Sequence, residues 1–216
     1  MLSENTSYTI LASDGINLFI RNHSIRESNK VILLIHGLGE HSGRYLNLIQ
    51  DFNDKNISVF TMDIRGHGKS EGKRGHSPFY DQLMSDIQYF IQHVGNVISN
   101  QKYFLYGHSM GGNLVINYSL KKDEKINGTI ATSPSIKPII KLSKIKLFMA
   151  KLFQKVMPSL TFNNGLDINA ISRNLQVVEN YMNDPLVHDQ VSVQLAIDII
   201  NSGIYALENS QDIEVP

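Results

Sequence analysis

Cysteine is absent from the 216 residues, which excludes disulfides, cysteine-ligated metal sites and a thiol nucleophile. No run approaches the ~18 consecutive apolar residues that a membrane-spanning helix needs. The N-terminus, MLSENTSYTILASDG, has no basic segment leading into an apolar stretch, so no secretory leader is expected. Net charge is missing too: Lys plus Arg and Asp plus Glu are balanced at 20 each, which argues against a nucleic acid or other polyanionic partner. These absences predict a cytoplasmic protein with no cofactor held through cysteine. They leave the oligomeric state open.

What charge there is lies unevenly. Between Glu124 and Asp167 there are lysines and no acid, and after Arg173 there are acids and no Lys or Arg. The 42% hydrophobic content suffices for a substantial core. Tyr8–Leu11 and Ile16–Arg21, flanking Ser13-Asp14-Gly15, predict an antiparallel hairpin. Val31–Ile35 is an unbroken apolar run, the pattern of a strand buried on both faces. Helices are expected at Tyr45–Phe52 and Asn113–Leu120, and strands at Ile57–Met62, Tyr103–Tyr106 and Gly128–Thr132. Between the first two of these strands lies an amphipathic helix over Phe79–Val94, with apolar residues at 79, 83, 84, 87, 90, 91 and 94. Alternating strands and helices predict an α/β fold with a mostly parallel sheet covered by helices on both faces.

From about Ile136 the alternation stops. The expected division is a core over 1–135, a mainly helical lid over 136–208, and a lead-in to a further strand over 209–216. Lys137, Lys141, Lys144, Lys151 and Lys155 recur at helical spacing among Ile140, Leu142, Ile145, Leu147, Phe148, Leu152 and Phe153. That gives a basic face and a broad apolar one, which suits either peripheral contact with a membrane surface or a lid over an apolar pocket.

The chemistry-bearing pattern is Gly107-His108-Ser109-Met110-Gly111, a G-x-S-x-G between an expected strand and an expected helix. A serine hydroxyl reaches substrate only from the top of a sharp turn, whose crowding admits glycine at 107 and 111. The Met110 amide, at the start of the helix, then faces the place where an oxyanion forms. His36-Gly37-Leu38-Gly39 follows the apolar strand Val31–Ile35 and offers the Leu38 amide as a second donor. The loop Asp63–Ser70 is expected to be held by structural hydrogen bonds. His36, His41 and His67 show no metal-ligand spacing.

HGLGEHSGRY, DIRGHGKSEG and GHSMGG, in this order, resemble the monoacylglycerol lipase and lysophospholipase branch of the α/β-hydrolases. The resemblance runs from about Tyr8 to Pro216. It implies Ser109 as nucleophile and the Leu38 and Met110 amides as the oxyanion hole. Glu40 and Arg44 would shape the pocket for the alcohol end of a small lipid ester. No cofactor or metal is implied. The family places the triad acid and base on later strands, and His188, the one histidine after Ser109, falls within the insertion. The expectation is therefore a chain that carries the nucleophile, lacks the acid and base, and is nearly inert alone. Two other readings stay open: a thioesterase, acyltransferase or peptidase using the same serine, and a truncated, non-catalytic protein that binds lipid or a partner.

Overall fold

The computed structural model describes residues 3–121, 125–137, 152–214 and 216. Its main sheet has six strands: β1 (Ser3–Leu11), β2 (Asn17–Ile25), β3 (Lys30–Ile35), β4 (Ser58–Met62), β5 (Lys102–His108) and β6 (Ile126–Thr132). Their spatial order is β1-β2-β4-β3-β5-β6. β1 and β2 form the expected antiparallel hairpin, β2 lies antiparallel to β4, and the remaining neighbours are parallel. The helices are α1 (Leu46–Asn53), α2 (Tyr80–Val97), α3 (Met110–Ser119), α4 (Leu175–Met182) and α5 (Val193–Glu208).

β3 shows why an apolar run becomes a central strand. Val31, Leu33 and Ile35 join the large core cluster under α2, α3 and α5. Ile32 and Leu34 pack on the opposite face with Ile49 of α1 and Val59. Successive side chains alternate faces, so both must be apolar when both faces are covered. Burial of each such side chain contributes about 1.5–3 kcal/mol.

The apolar stripe of α2 is found at Leu83, Met84, Ile87, Phe90, Ile91 and Val94. Phe79 is the exception: it is the N-cap, extended and 52% exposed, because the helix starts one residue later. Asp86, on the buried side of α2, is explained by Arg65, whose Nε and Nη2 donate to its carboxylate at 2.6 and 2.7 Å. Asp14, in the β1–β2 turn, accepts from the other edge of the same guanidinium at 2.7 Å. Burial alone would lower the Arg65 pKa, but the hydrogen bonds to Asp86 and Asp14 raise it, so the group stays charged.

The segment after β6 holds a feature the sequence did not signal. β7 (Thr161–Asn163) and β8 (Gln190–Ser192) form an antiparallel ribbon within the region expected to be mainly helical. Strands of three residues are too short to show a period of two, and only tertiary contacts stabilise them. Val191 and Leu195 belong to the same apolar cluster as the sheet, so α5 packs with the core although it follows the ribbon. Most of the basic and apolar helix expected over 137–155 lies outside the described residues. Of its apolar positions, Leu152 and Phe153 are described, and both are exposed. Among the described residues, no helix is long and apolar enough to cross a membrane.

Removing the Arg65 guanidinium leaves the buried Asp86 carboxylate without its counter-charge and with the 3.4 Å bond from Gln82 Nε2. Arg65→Ala should destabilise the fold by about 3–5 kcal/mol, read as a fall in the urea midpoint with an unchanged slope.

Candidate functional site

Ser109 sits between β5 and α3 with φ 53° and ψ −115°. A non-glycine residue with positive φ is held there only by over-determined surroundings. A Cβ on Gly107 would lie 2.2 Å from the Gly111 carbonyl oxygen, and one on Gly111 would lie 2.2 Å from the Ile35 oxygen and 2.5 Å from that of His36. Glycine is therefore required on both sides of the turn, and Gly111 makes the close approach to β3. A Cβ on Gly112 would lie 3.0 Å from Pro134 and 3.3 Å from the Gly107 carbonyl oxygen. The Ser109 amide donates to the Thr132 carbonyl at 3.0 Å, and the Ser109 carbonyl accepts from the Asn113 and Ser135 amides, each at 3.0 Å.

The loop after β3 lies directly against this turn. A Cβ on Gly37 would stand 3.2 Å from Ser109 Cβ. The Gly37 amide donates to Glu40 Oε1 at 2.7 Å, and the Tyr45 hydroxyl donates to the same oxygen at 2.6 Å. Arg44 Nε lies 3.3 Å from Glu40 Oε2, an ion pair without an aligned hydrogen bond. Its guanidinium lies 4.5 Å over the Tyr181 ring. Burial, then the Glu40 charge, pushes the Tyr45 hydroxyl pKa upward. The Glu40 carboxylate is thus already engaged in shaping its own loop. Among the described residues, the backbone hydrogen bonds between elements leave the Leu38 and Met110 amides without a carbonyl partner. The first amides of a helix have none within it either.

The histidines brace loops. His36 is fully buried; its Nδ1 faces the Gly37 carbonyl at 2.7 Å and its Nε2 accepts from the Ile64 amide at 2.9 Å. Both nitrogens are occupied, which removes it as a base for Ser109. His108 turns to Thr132, with Nδ1 3.0 Å from Oγ1. His41 Nδ1 accepts from the Gly43 amide at 3.1 Å, so its Nε2 carries the proton shared with Asp184 Oδ2 at 2.8 Å. Burial would raise the Asp184 carboxyl pKa, but the hydrogen bonds from His41 and the Leu186 amide hold it below its usual value. His188 donates its own amide to the Gly39 carbonyl at 2.9 Å, and its ring lies tilted by 43° against that of His67, with centroids 4.7 Å apart. Asp63 accepts from the Ser42 and Lys69 amides at 2.8 and 2.9 Å, so the Asp63–Ser70 loop has the structural bonding expected of it. Among the described residues, no group of histidines and acids could hold a metal.

Ser109 is partly exposed and lines a cavity of about 350 Å³. Leu38, Leu166, Ile171, Val177 and Tyr181 supply apolar walls, with Glu40 and Arg44 at one side. A larger cavity of about 460 Å³ between α2, α3 and α5 contains no residue on a strained turn. Among the described residues, the hydrogen-bond partner of Ser109 Oγ is Ser135 Oγ, at 3.3 Å. Sequence reasoning missed Ser135, Asn113 and Tyr181, because a hydroxyl, an amide and an aromatic ring at unremarkable spacings carry no motif. Nothing local in Asp184-Pro185-Leu186 reveals the bond from His41 to Asp184.

The sheet order, with a strand–serine–helix turn at the end of β5, defines the α/β-hydrolase fold. The chain belongs to the hydrolase family described as serine aminopeptidase, S33, which residues 26–216 match. It is 42% identical over 87% of its length to an uncharacterized abhydrolase domain-containing protein of Dictyostelium discoideum, of which it covers 20%. It is 34% identical over 89% of its length to the monoglyceride lipase of Rattus norvegicus, covering 64% of that protein. The crystal structure of Paleococcus ferrophilus monoacylglycerol lipase superposes with a TM-score of 0.79 at 34% identity, covering 100% of this chain and 76% of that one. The chain thus spans less than two thirds of the length of these two curated relatives.

Two outcomes follow from this bonding. Gly111→Ala should lose about 1–3 kcal/mol from overpacking against β3, seen as a lowered urea midpoint. Burial lowers the pKa of His36, His67 and His188 below 6.5. The unfolded chain then binds more protons, so stability present above about pH 6.5 should fall as the pH is lowered through 6. Thermal melts between pH 7.5 and 5.5 should show this slope, flattened in His188→Asn.

Proposed function

We propose that the whole protein is a carboxyl-ester hydrolase acting on a monoacylglycerol or lysophospholipid through a Ser109 acyl-enzyme. The observation that carries this reading is Ser109 Oγ on its strained turn and beside an apolar cavity, with the Leu38 and Met110 amides lacking a carbonyl partner among the described residues. In the proposed reaction Ser109 Oγ attacks the ester carbonyl carbon as a base removes its proton. The carbonyl oxygen becomes an oxyanion stabilised by the Leu38 and Met110 amides. Collapse expels the alcohol, which takes a proton, and water then releases the fatty acid by the same steps. The base and its orienting acid do not stand at Ser109 among the described residues.

The cavity walls support an acyl chain as the group bound. Glu40 and Arg44 fit the polar side, where an alcohol head group would sit, with Glu40 acting chiefly to hold the Gly37 peptide in place. The name of the family raises aminopeptidase activity as a second reading. A peptide amine needs an available carboxylate, and among the described residues the acid lining this cavity is Glu40, already bound to Gly37, Tyr45 and Arg44. That favours the ester. The lid is proposed to comprise the segment from 136 to the ribbon, with α5 as part of the core, and its exposed Leu152 and Phe153 suit contact with a lipid surface.

The full-length protein should release fatty acid from monoacylglycerol vesicles, and Ser109→Ala should lower turnover by about a millionfold. Release of amino acids from peptides, with no ester cleaved, would sink the proposal.

A further inference from the structure

We infer that Asn113 is a positioning residue for Ser109, tying the loop beside the nucleophile to the helix that returns from the insertion. The inference rests on the hydrolase reading above. Asn113 lies one helical turn after Ser109 and is 0% exposed. Its Nδ2 donates to the Ser135 carbonyl at 2.8 Å and to the Ile199 carbonyl at 3.3 Å. Its Oδ1 accepts from the Tyr80 hydroxyl and the Ser202 hydroxyl, both at 2.9 Å. A carboxamide has two donors and two acceptor positions, and all four are used. The side chain therefore joins α2, α5 and the loop after β6.

That loop is where the connection reaches the nucleophile. Ser133 enters it with φ 44°, a conformation a serine keeps only when its neighbours impose it. Ser135 then touches Ser109 twice, by its amide on the Ser109 carbonyl and by its hydroxyl on Ser109 Oγ. The Asn113 amide grips the carbonyl of this same Ser135, so it sets both contacts. On the far side, α5 is capped by Ser192, whose amide donates to the Gly75 carbonyl at 2.8 Å and whose hydroxyl meets His76 Nδ1 at 2.9 Å. The anchoring of the ribbon is thereby connected, along α5 and through Asn113, to the placement of Ser109 Oγ. Asn113 touches no substrate and moves no proton; it acts through Ser135.

The test uses the full-length protein, a soluble short-chain p-nitrophenyl ester, and the variants Asn113→Ala, Ser135→Ala and their combination. Asn113→Ala should lower kcat by about 10- to 100-fold and leave KM within about twofold. The double variant should be no slower than the slower single one, because both losses pass through one contact. Tyr80→Phe removes one of the two donors to Asn113 Oδ1 without burying a charge, so it should lower kcat in the same direction and serves if the alanine variant fails to fold. Hydrogen exchange supplies a readout that needs no activity: the Ser135 amide should lose protection in the Asn113 variants while the centres of β3 and β5 keep theirs. Additive losses, an unchanged kcat, or unchanged protection at Ser135 would overturn the inference. If the unsubstituted protein cleaves no ester, the hydrolase reading fails, and exchange at Ser135 alone decides the role of Asn113.

Discussion

The structure depends on one crowded turn. Ser109 is held at φ 53° because Gly107 and Gly111 allow the start of α3 to press against β5 and the end of β3. No side chain fits in either gap. The strain is sustained by bonds from both directions, since Thr132 at the end of β6 and Ser135 in the loop after it fix the Ser109 backbone while Asn113 holds it from α3. A hydroxyl presented in this way stands clear of its own strand and helix. The same packing brings the Gly37 peptide against it.

Around this turn, polar residues that look chemical are mostly engaged in holding loops. His36 joins the loops after β3 and β4, Asp63 gathers amides from two segments, and Arg65 pairs with both Asp86 and Asp14. Buried groups of this kind are costly unless every hydrogen-bonding position is met. Meeting those positions fixes the loops at the edge of the sheet where the cavity opens. The polar shell is therefore a form of preorganisation: the energy of folding sets the geometry in advance.

The region after β6 is attached to the core at several separate points. His41 holds Asp184, Gly39 holds His188, and Gly75 holds Ser192. Tyr181 closes one wall of the cavity under the Arg44 guanidinium. The apolar walls contributed by Leu166, Ile171 and Val177 come from this region as well. Ser109 belongs to the core, and the apolar walls beside it come largely from the region after β6.

The sequence by itself determined the sheet and the turn. Apolar runs such as Val31–Ile35 have nowhere to go but a doubly covered strand, and G-x-S-x-G after such a run allows few other conformations. It also determined the hairpin around Asp14-Gly15 and the stripe of α2, where the period of burial is written in the side chains. Only the tertiary structure decided the β7–β8 ribbon, the bond from His41 to Asp184, the full engagement of Glu40, and the meeting of Asn113 with Ser135, Ile199, Tyr80 and Ser202. The physical reason is range. Periodicity and turn chemistry act between residues a few positions apart. A hydrogen bond from 41 to 184, or from 113 to 202, joins residues whose separation along the chain leaves no local trace.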